Sequence, residues 1–191
     1  MDRREALRSV AILFGTAISA GTTNILFSSY TQPLDEKNAV KFSLEQIKVL
    51  GEIADVIIPT TKSSGGAKAA GMAKFIPMMV NDCYPAKNQH EFMTGLKEFE
   101  KRAKDKFKKS FALIPLVERR KMLEALRTET IDGKRAKEKS AITYFFNTVR
   151  DLTVLGYFSS EIGCTQARAY VAIPGEYNGE ALLKPGQKSW A

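Results

Sequence analysis

Apolar and polar positions divide the chain into an uncharged apolar stretch at its start, helical repeats in its middle and a broken pattern at its end. Leu44, Ile47, Leu50, Ile53, Ala54, Ile57 and Ile58 recur with the spacing of one helix face. Ser43 and Gln46 form a capping-box pattern ahead of that face, and Phe42 stands where a hydrophobic staple would. Pro59 stops the helix, and residues 60–66 are a loop of small polar residues. Ala69, Ala70, Ala73, Phe75, Ile76, Met79 and Val80 predict a second helix within 67–83, where Pro77 marks either a kink or the helix start.

After Pro85, Asn88 and Glu91 have the spacing of an N-terminal cap. They open a helix through Phe92, Leu96, Phe99, Ala103 and Phe107, whose opposite face carries Lys97, Lys101, Lys104 and Lys108. Pro115 suits a first helical turn, and Leu116, Met122, Leu123 and Leu126 carry the next helix to about Thr128. The charged tract 129–140 reads as a solvated loop. The most apolar helix spans about 141–158, with Ile142, Phe145, Phe146, Val149, Leu152, Val154 and Leu155, and is expected at the centre of the core. Gly156 and Gly163 are expected to loosen the chain after it. From Gln166 onward, Pro174, Gly175, Gly179, Pro185 and Gly186 exclude a long helix. The expected fold class is therefore all-α: an irregular bundle of about five helices over 42–165, with an extended, turn-rich tail over 166–191.

The first thirty residues change the picture. Arg3 and Arg4 form an adjacent pair followed by Leu7 and Arg8, and no further charge appears until Asp35. A basic head before an uncharged, modestly apolar run is the pattern of a twin-arginine export signal over 1–30. Asp2 and Ala6 depart from its usual flanks, and no small-x-small cleavage site is evident. An uncleaved N-terminal anchor is therefore an alternative, and residues 31–41 follow as a linker. Export places the chain in the periplasm or on the periplasmic face of the inner membrane.

Composition refines this reading. Hydrophobic residues make up 44% and charged residues 26%, values of an ordinary globular chain. The formal net charge is +8. Between Lys97 and Lys139, fifteen Lys and Arg face eight Asp and Glu, so the excess is concentrated in the middle of the chain. Such a face suits an acidic partner or anionic lipid. Phe99 and Phe107 fall on the apolar side of their helix, which favours core packing over nucleic-acid stacking.

No segment carries a recognisable active site. Gly65, Gly66 and Gly71 follow a helix and not a strand, so they make no dinucleotide cradle. His90 precedes Glu91 directly, a spacing unsuited to shared metal ligation within a helix. Glu52 and Asp55 share a helix face and are expected to be solvated. Ser63 and Ser64 lack an evident base. Two cysteines and one histidine cannot build a four-ligand zinc site without carboxylates. No catalytic, cofactor-binding or metal residue is therefore assigned. In an oxidising compartment Cys83 and Cys164 could bridge each other, bridge a partner or stay free. Tyr170, Tyr177 and Trp190 in the tail are candidate partner contacts, being the amphipathic rings that interfaces favour, and the tail is expected to pack either on a partner or back on its own helices.

The leader DRREAL, the block FSLEQIKVLGEIADVIIPTT with GGAKAAGMAKFI, the helix FFNTVRDLTVLGYFSSEIG and the tail IPGEYNGEALLKPGQKSWA together resemble the gluconate 2-dehydrogenase subunit 3 family. The resemblance implies a small, non-catalytic subunit with no cofactor of its own. It implies a large flavoprotein partner of the glucose-methanol-choline type that holds FAD and a sugar or polyol, and a cytochrome c as candidate electron acceptor. It also implies that the leader exports the partner together with this chain. A stand-alone envelope protein, attached through its N-terminal segment and using its basic face, is the competing expectation.

Overall fold

The structure, a computed structural model, describes residues 40–135, 140–173, 175, 179–182 and 184–190, with the side chains of the helix that ends at Arg135 described as far as Ile131. Arg3, Arg4, Leu7, Arg8 and Tyr177 lie outside the described residues, as do nearly all of the leader and linker. The described residues form five α-helices: α1 Leu44–Ile57, α2 Met72–Cys83, α3 Ala86–Phe107, α4 Leu116–Arg135 and α5 Ala141–Ser159. A 3-10 turn, Phe111–Leu113, precedes α4, and a π turn, Gly163–Ala167, follows α5. The all-α bundle is the architecture that the apolar spacing predicts. α5 packs against each of the other four helices, so the most apolar helix is indeed the central one.

Local chemistry sets most of the boundaries. At α1 the capping box is complete: the Gln46 amide donates to Ser43 Oγ at 3.2 Å, and the Ser43 amide donates to Gln46 Oε1 at 3.0 Å. Gly71, with φ at +77°, turns the chain into α2, which begins before Pro77 and runs through it. α3 starts at Ala86, with Pro85 in the cap position, so Asn88 is not its cap. The Asn88 side chain is already inside the helix and donates to Tyr144 Oη on α5 at 2.9 Å. The buried Gln89 amide group donates to the carbonyls of Asn81 and Tyr84, at 3.0 and 2.8 Å, and so caps the end of α2 from the start of α3.

Three further expectations are corrected. α4 does not end near Thr128 but continues to Arg135. Its extra turns are held from outside: Arg102 on α3 donates to both Glu129 oxygens, at 2.7 and 3.2 Å, and Thr130 is buried. Gly156 does not loosen the chain either. It lies inside α5, and a Cβ there would come within 2.5 Å of the Phe75 ring and 2.7 Å of Met72 Sδ. Helical spacing also assigned Leu44, Val154 and Leu155 to the core, yet all three are exposed.

The core is organised by a continuous run of aromatic rings. Phe42 meets Phe92 at 6.1 Å, Phe92 meets Phe145 at 5.1 Å, Phe145 meets Phe99 at 5.7 Å, and Phe99 meets Phe111 at 4.9 Å between centroids. Offset and edge contacts of this kind add about 0.5–1.5 kcal/mol per pair beyond area burial. The run joins the entry to α1, helices α3 and α5, and the 3-10 turn. α3 comes so close to α5 that a Cβ at Gly95 would lie 2.2 Å from the Ala141 carbonyl oxygen.

Candidate docking surface

The loop between α1 and α2 is fixed from within and from α5. The Gly66 amide donates to Thr60 Oγ1 at 3.0 Å, and the Ala67 amide to the Ile58 carbonyl at 2.8 Å. A Cβ on Gly66 would stand 2.5 Å from the Thr60 nitrogen, which is why glycine closes this loop. Tyr157, buried at the end of α5, donates its hydroxyl to the Gly65 carbonyl at 2.8 Å and pairs with Ser64 Oγ at 2.6 Å. The Gly65 amide donates to Gln166 Oε1 in the π turn at 2.9 Å. Gly65 and Gly66 thus spend their amides on internal bonds, leaving neither for a phosphate group.

The same π turn carries the C-terminal arm. Arg168 stacks its guanidinium over Phe158, 4.4 Å from the ring centroid. Immediately after it, Ala169 pairs in parallel with Trp190, its amide donating to the Ser189 carbonyl at 2.9 Å. Lys188 Nζ donates to the Gln166 carbonyl. A turn at 184–187, with Gly186 at φ +73°, brings the chain back. The arm therefore returns to its own stem. Tyr170 is 56% exposed and Trp190 63% exposed, in the company of Val171, Ile173 and Leu182. Large apolar side chains left uncovered on a tethered segment are what a docking partner would cover.

The other residues singled out in the sequence fall elsewhere. His90 is exposed on α3, and Lys97, Lys101 and Lys104 further along it and Lys108 at its end face solvent. Phe99 is buried and Phe107 half-buried, as core packing requires. Among the described residues no three His, Cys, Asp or Glu side chains are grouped to hold a metal ion, and no helix is long and apolar enough to cross a membrane.

Glu52 is not solvated but half-enclosed. It pairs with Lys68 at 2.6 Å and with Arg119 from α4. Burial pushes the Glu52 carboxyl up, but hydrogen bonds from Lys68 and Arg119 outweigh it and hold the group below the ordinary carboxylate range. Sequence reasoning missed this site because neither cation is a helical neighbour of Glu52. The Ile-Ile-Pro stop after α1 was the available hint that the chain turns back there.

The structure does not bring Cys83 and Cys164 together; both are free thiols. Met72, at the start of α2, lies against Gly156 near the end of α5, where the π turn bearing Cys164 begins. Cys83 ends α2, about 16 Å further along its axis at 1.5 Å per residue. There burial, and after it the nearness of Tyr144 and Asp151 on α5, push the hydroxyl of its neighbour Tyr84 up. A disulfide needs Cα atoms within about 7 Å. The two thiols are unbridged in this structure, with most of the length of α2 lying between Cys83 and the part of α5 that Met72 meets.

The family model described as gluconate 2-dehydrogenase subunit 3 matches residues 44–175, from the first residue of α1 into the arm. No curated protein and no solved structure matches the chain. The match spans most of the chain, and the chain belongs to this family. The family is named for a subunit of a dehydrogenase complex.

Proposed function

We propose that this chain is the non-catalytic small subunit of a periplasmic, FAD-dependent sugar or polyol dehydrogenase. In this reading the large subunit is a flavoprotein of the glucose-methanol-choline type, and it holds both the FAD and the substrate. A cytochrome c is the candidate electron acceptor. The small subunit docks on the flavoprotein, stabilises its fold and brings it through the twin-arginine route with the leader over residues 1–30.

Family membership supports the association with other dehydrogenase subunits. The observation that carries the docking role is the arm: a segment tethered at Ala169 and Trp190 that leaves Tyr170, Ile173, Leu182 and Trp190 uncovered. Rings of this kind supply a large share of binding energy, about 2 kcal/mol or more where they become fully desolvated.

The test is co-expression with the large subunit. Replacing Arg3 and Arg4 by Lys is expected to hold both chains in the cytoplasm together. Replacing Tyr170 and Trp190 by Ala is expected to weaken association about thirtyfold, the equivalent of about 2 kcal/mol, while helicity is kept. Export of the large subunit without this chain, or unchanged association of the double variant, speaks against the proposal.

A further inference from the structure

An open groove of about 400 Å³ lies on the bundle between the end of α1, the middle of α4 and α5. Its floor is apolar, formed in part by Val56, Leu123 and Phe146. Its rim carries three guanidinium groups, from Arg120, Arg127 and Arg150. Arg120 and Arg127 stand two helical turns apart on one face of α4, about 10 Å along the axis. Both are exposed, and neither forms an ion pair with a described residue. Arg150, on the facing wall, is held by Asp151 at 2.8 Å. Glu124 is the acidic residue of the lining, so the rim remains cationic.

We infer that this groove is a second docking point of the complex, one that takes an acidic segment of the large subunit. The occupant is a stretch with a large apolar side chain for the floor and carboxylates on either side for Arg120 and Arg127. The inference rests on the proposed accessory role and adds the chemistry of one contact to it. Three features select this occupant. The concave apolar floor calls for an inserted side chain and not a flat surface. The free cations are both arginine, whose planar fork pairs with carboxylates in two parallel hydrogen bonds. A protein with formal net charge +8 is also drawn most strongly to an acidic partner.

The test uses the full chain and its large subunit, with affinity measured at several salt concentrations. Arg120→Glu with Arg127→Glu is expected to weaken binding at least about tenfold and to flatten its salt dependence. Since both side chains are exposed, the thermal midpoint should stay within about 2 °C of the parent, which separates lost binding from lost folding. Lys101→Glu with Lys104→Glu makes the same change of charge on α3 and is expected to cost less than about threefold. Parent-like binding by the groove variant overturns the inference and leaves the accessory role standing. An equal loss in the α3 variant overturns it too, in favour of general charge attraction. Binding of the chain alone to vesicles of anionic lipid, lost in the groove variant, reassigns the groove to lipid. If the parent does not bind the flavoprotein at all, the accessory role fails and the inference falls with it.

Discussion

Arg119 and Glu52 join α4 to α1 through an ion pair in which only 16% and 18% of the two side chains remain exposed. The same guanidinium donates to the carbonyls of Ile114 and Ala112, at 2.6 and 3.2 Å, and lies 6.0 Å from the Phe111 ring centroid. One side chain therefore closes the 3-10 turn, extends the run of aromatic rings and supplies the partner that allows Glu52 to be enclosed. Lys68 completes the arrangement from the loop ahead of α2. The two helices are tied at the point where the chain turns back toward α2.

Glu52→Gln is expected to destabilise the fold by about 2 kcal/mol at pH 7, because a half-enclosed Arg119 loses its counter-charge. The folded-state pKa of Glu52 lies below its ordinary value of 4.5. Its contribution is therefore fully present above that value and is lost as the pH falls through the depressed one. The gap between parent and variant should be constant from neutral pH down toward the ordinary value of 4.5 and should close as the pH falls through the depressed one. Glu100 works in the opposite sense, since burial pushes its carboxyl up and stability is gained as it protonates. Both proteins carry Glu100, so the difference between their denaturant midpoints isolates Glu52. A gap that persisted at acid pH would show that the loss was one of packing.

Gly95→Ala tests the α3–α5 contact. In an exposed helix the change would gain about 1 kcal/mol from propensity. Here the added methyl would sit 2.2 Å from the Ala141 oxygen and 2.5 Å from Phe145 Cβ, both in or next to backbone that cannot swing aside. The expected net effect is a loss of about 2–3 kcal/mol. In a domain of about 150 residues that lowers the thermal midpoint by roughly 5–10 °C. Calorimetry reads it directly, and a rise in the midpoint would mean that α3 and α5 pack less closely than described.

The helices with one-sided burial were legible in the sequence: α1, α3 and α5 bury faces that recur at the helical period. That period does not show whether an apolar residue at the margin of a face is covered, and so Leu44, Val154 and Leu155 were assigned to a core they do not enter. The end of α4 was hidden for a different reason. Its last turns are too charged to announce a helix and are held by Arg102 from α3, a relationship no local pattern carries. Glu52 was misjudged in the same way, because its cations lie 16 and 67 residues along the chain. Tyr170 and Trp190 stood out by type alone, but the pairing of Ala169 with Trp190 that tethers them is a long-range fact.

The separation of the two thiols predicts their reactivity. Cys83 is exposed, with Met79 Sδ as a weak partner at 3.9 Å. Cys164 is half-buried and donates to the Phe158 carbonyl at 3.1 Å. A thiol reagent should therefore modify Cys83 at least about tenfold faster than Cys164, as access to the thiolate requires. Chain isolated from an oxidising compartment without its partner should show two free thiols and the same gel migration with and without reductant. A shift in migration on adding reductant would show instead that the two thiols are bridged.

Tyr157→Phe reaches from the core to the arm. The hydroxyl it removes serves Gly65 and Ser64, and Gly65 in turn donates to Gln166, beside the point where the arm leaves the bundle. The phenyl ring still fills its site, so the expected loss is confined to hydrogen bonding, about 1–2 kcal/mol. What distinguishes this variant is where that loss appears. Hydrogen exchange should quicken at the amides of Gly65 and Gly66 and at Ala169, whose amide holds the arm to Ser189, while amides of α3 keep the parent's protection. If the loop positions the arm, association with the large subunit should weaken as well, by less than in the Tyr170 and Trp190 double variant. Faster exchange at Gly65 and Gly66 with parent-like exchange at Ala169 would show that the stem is held independently of the loop, by contacts such as Arg168 on Phe158.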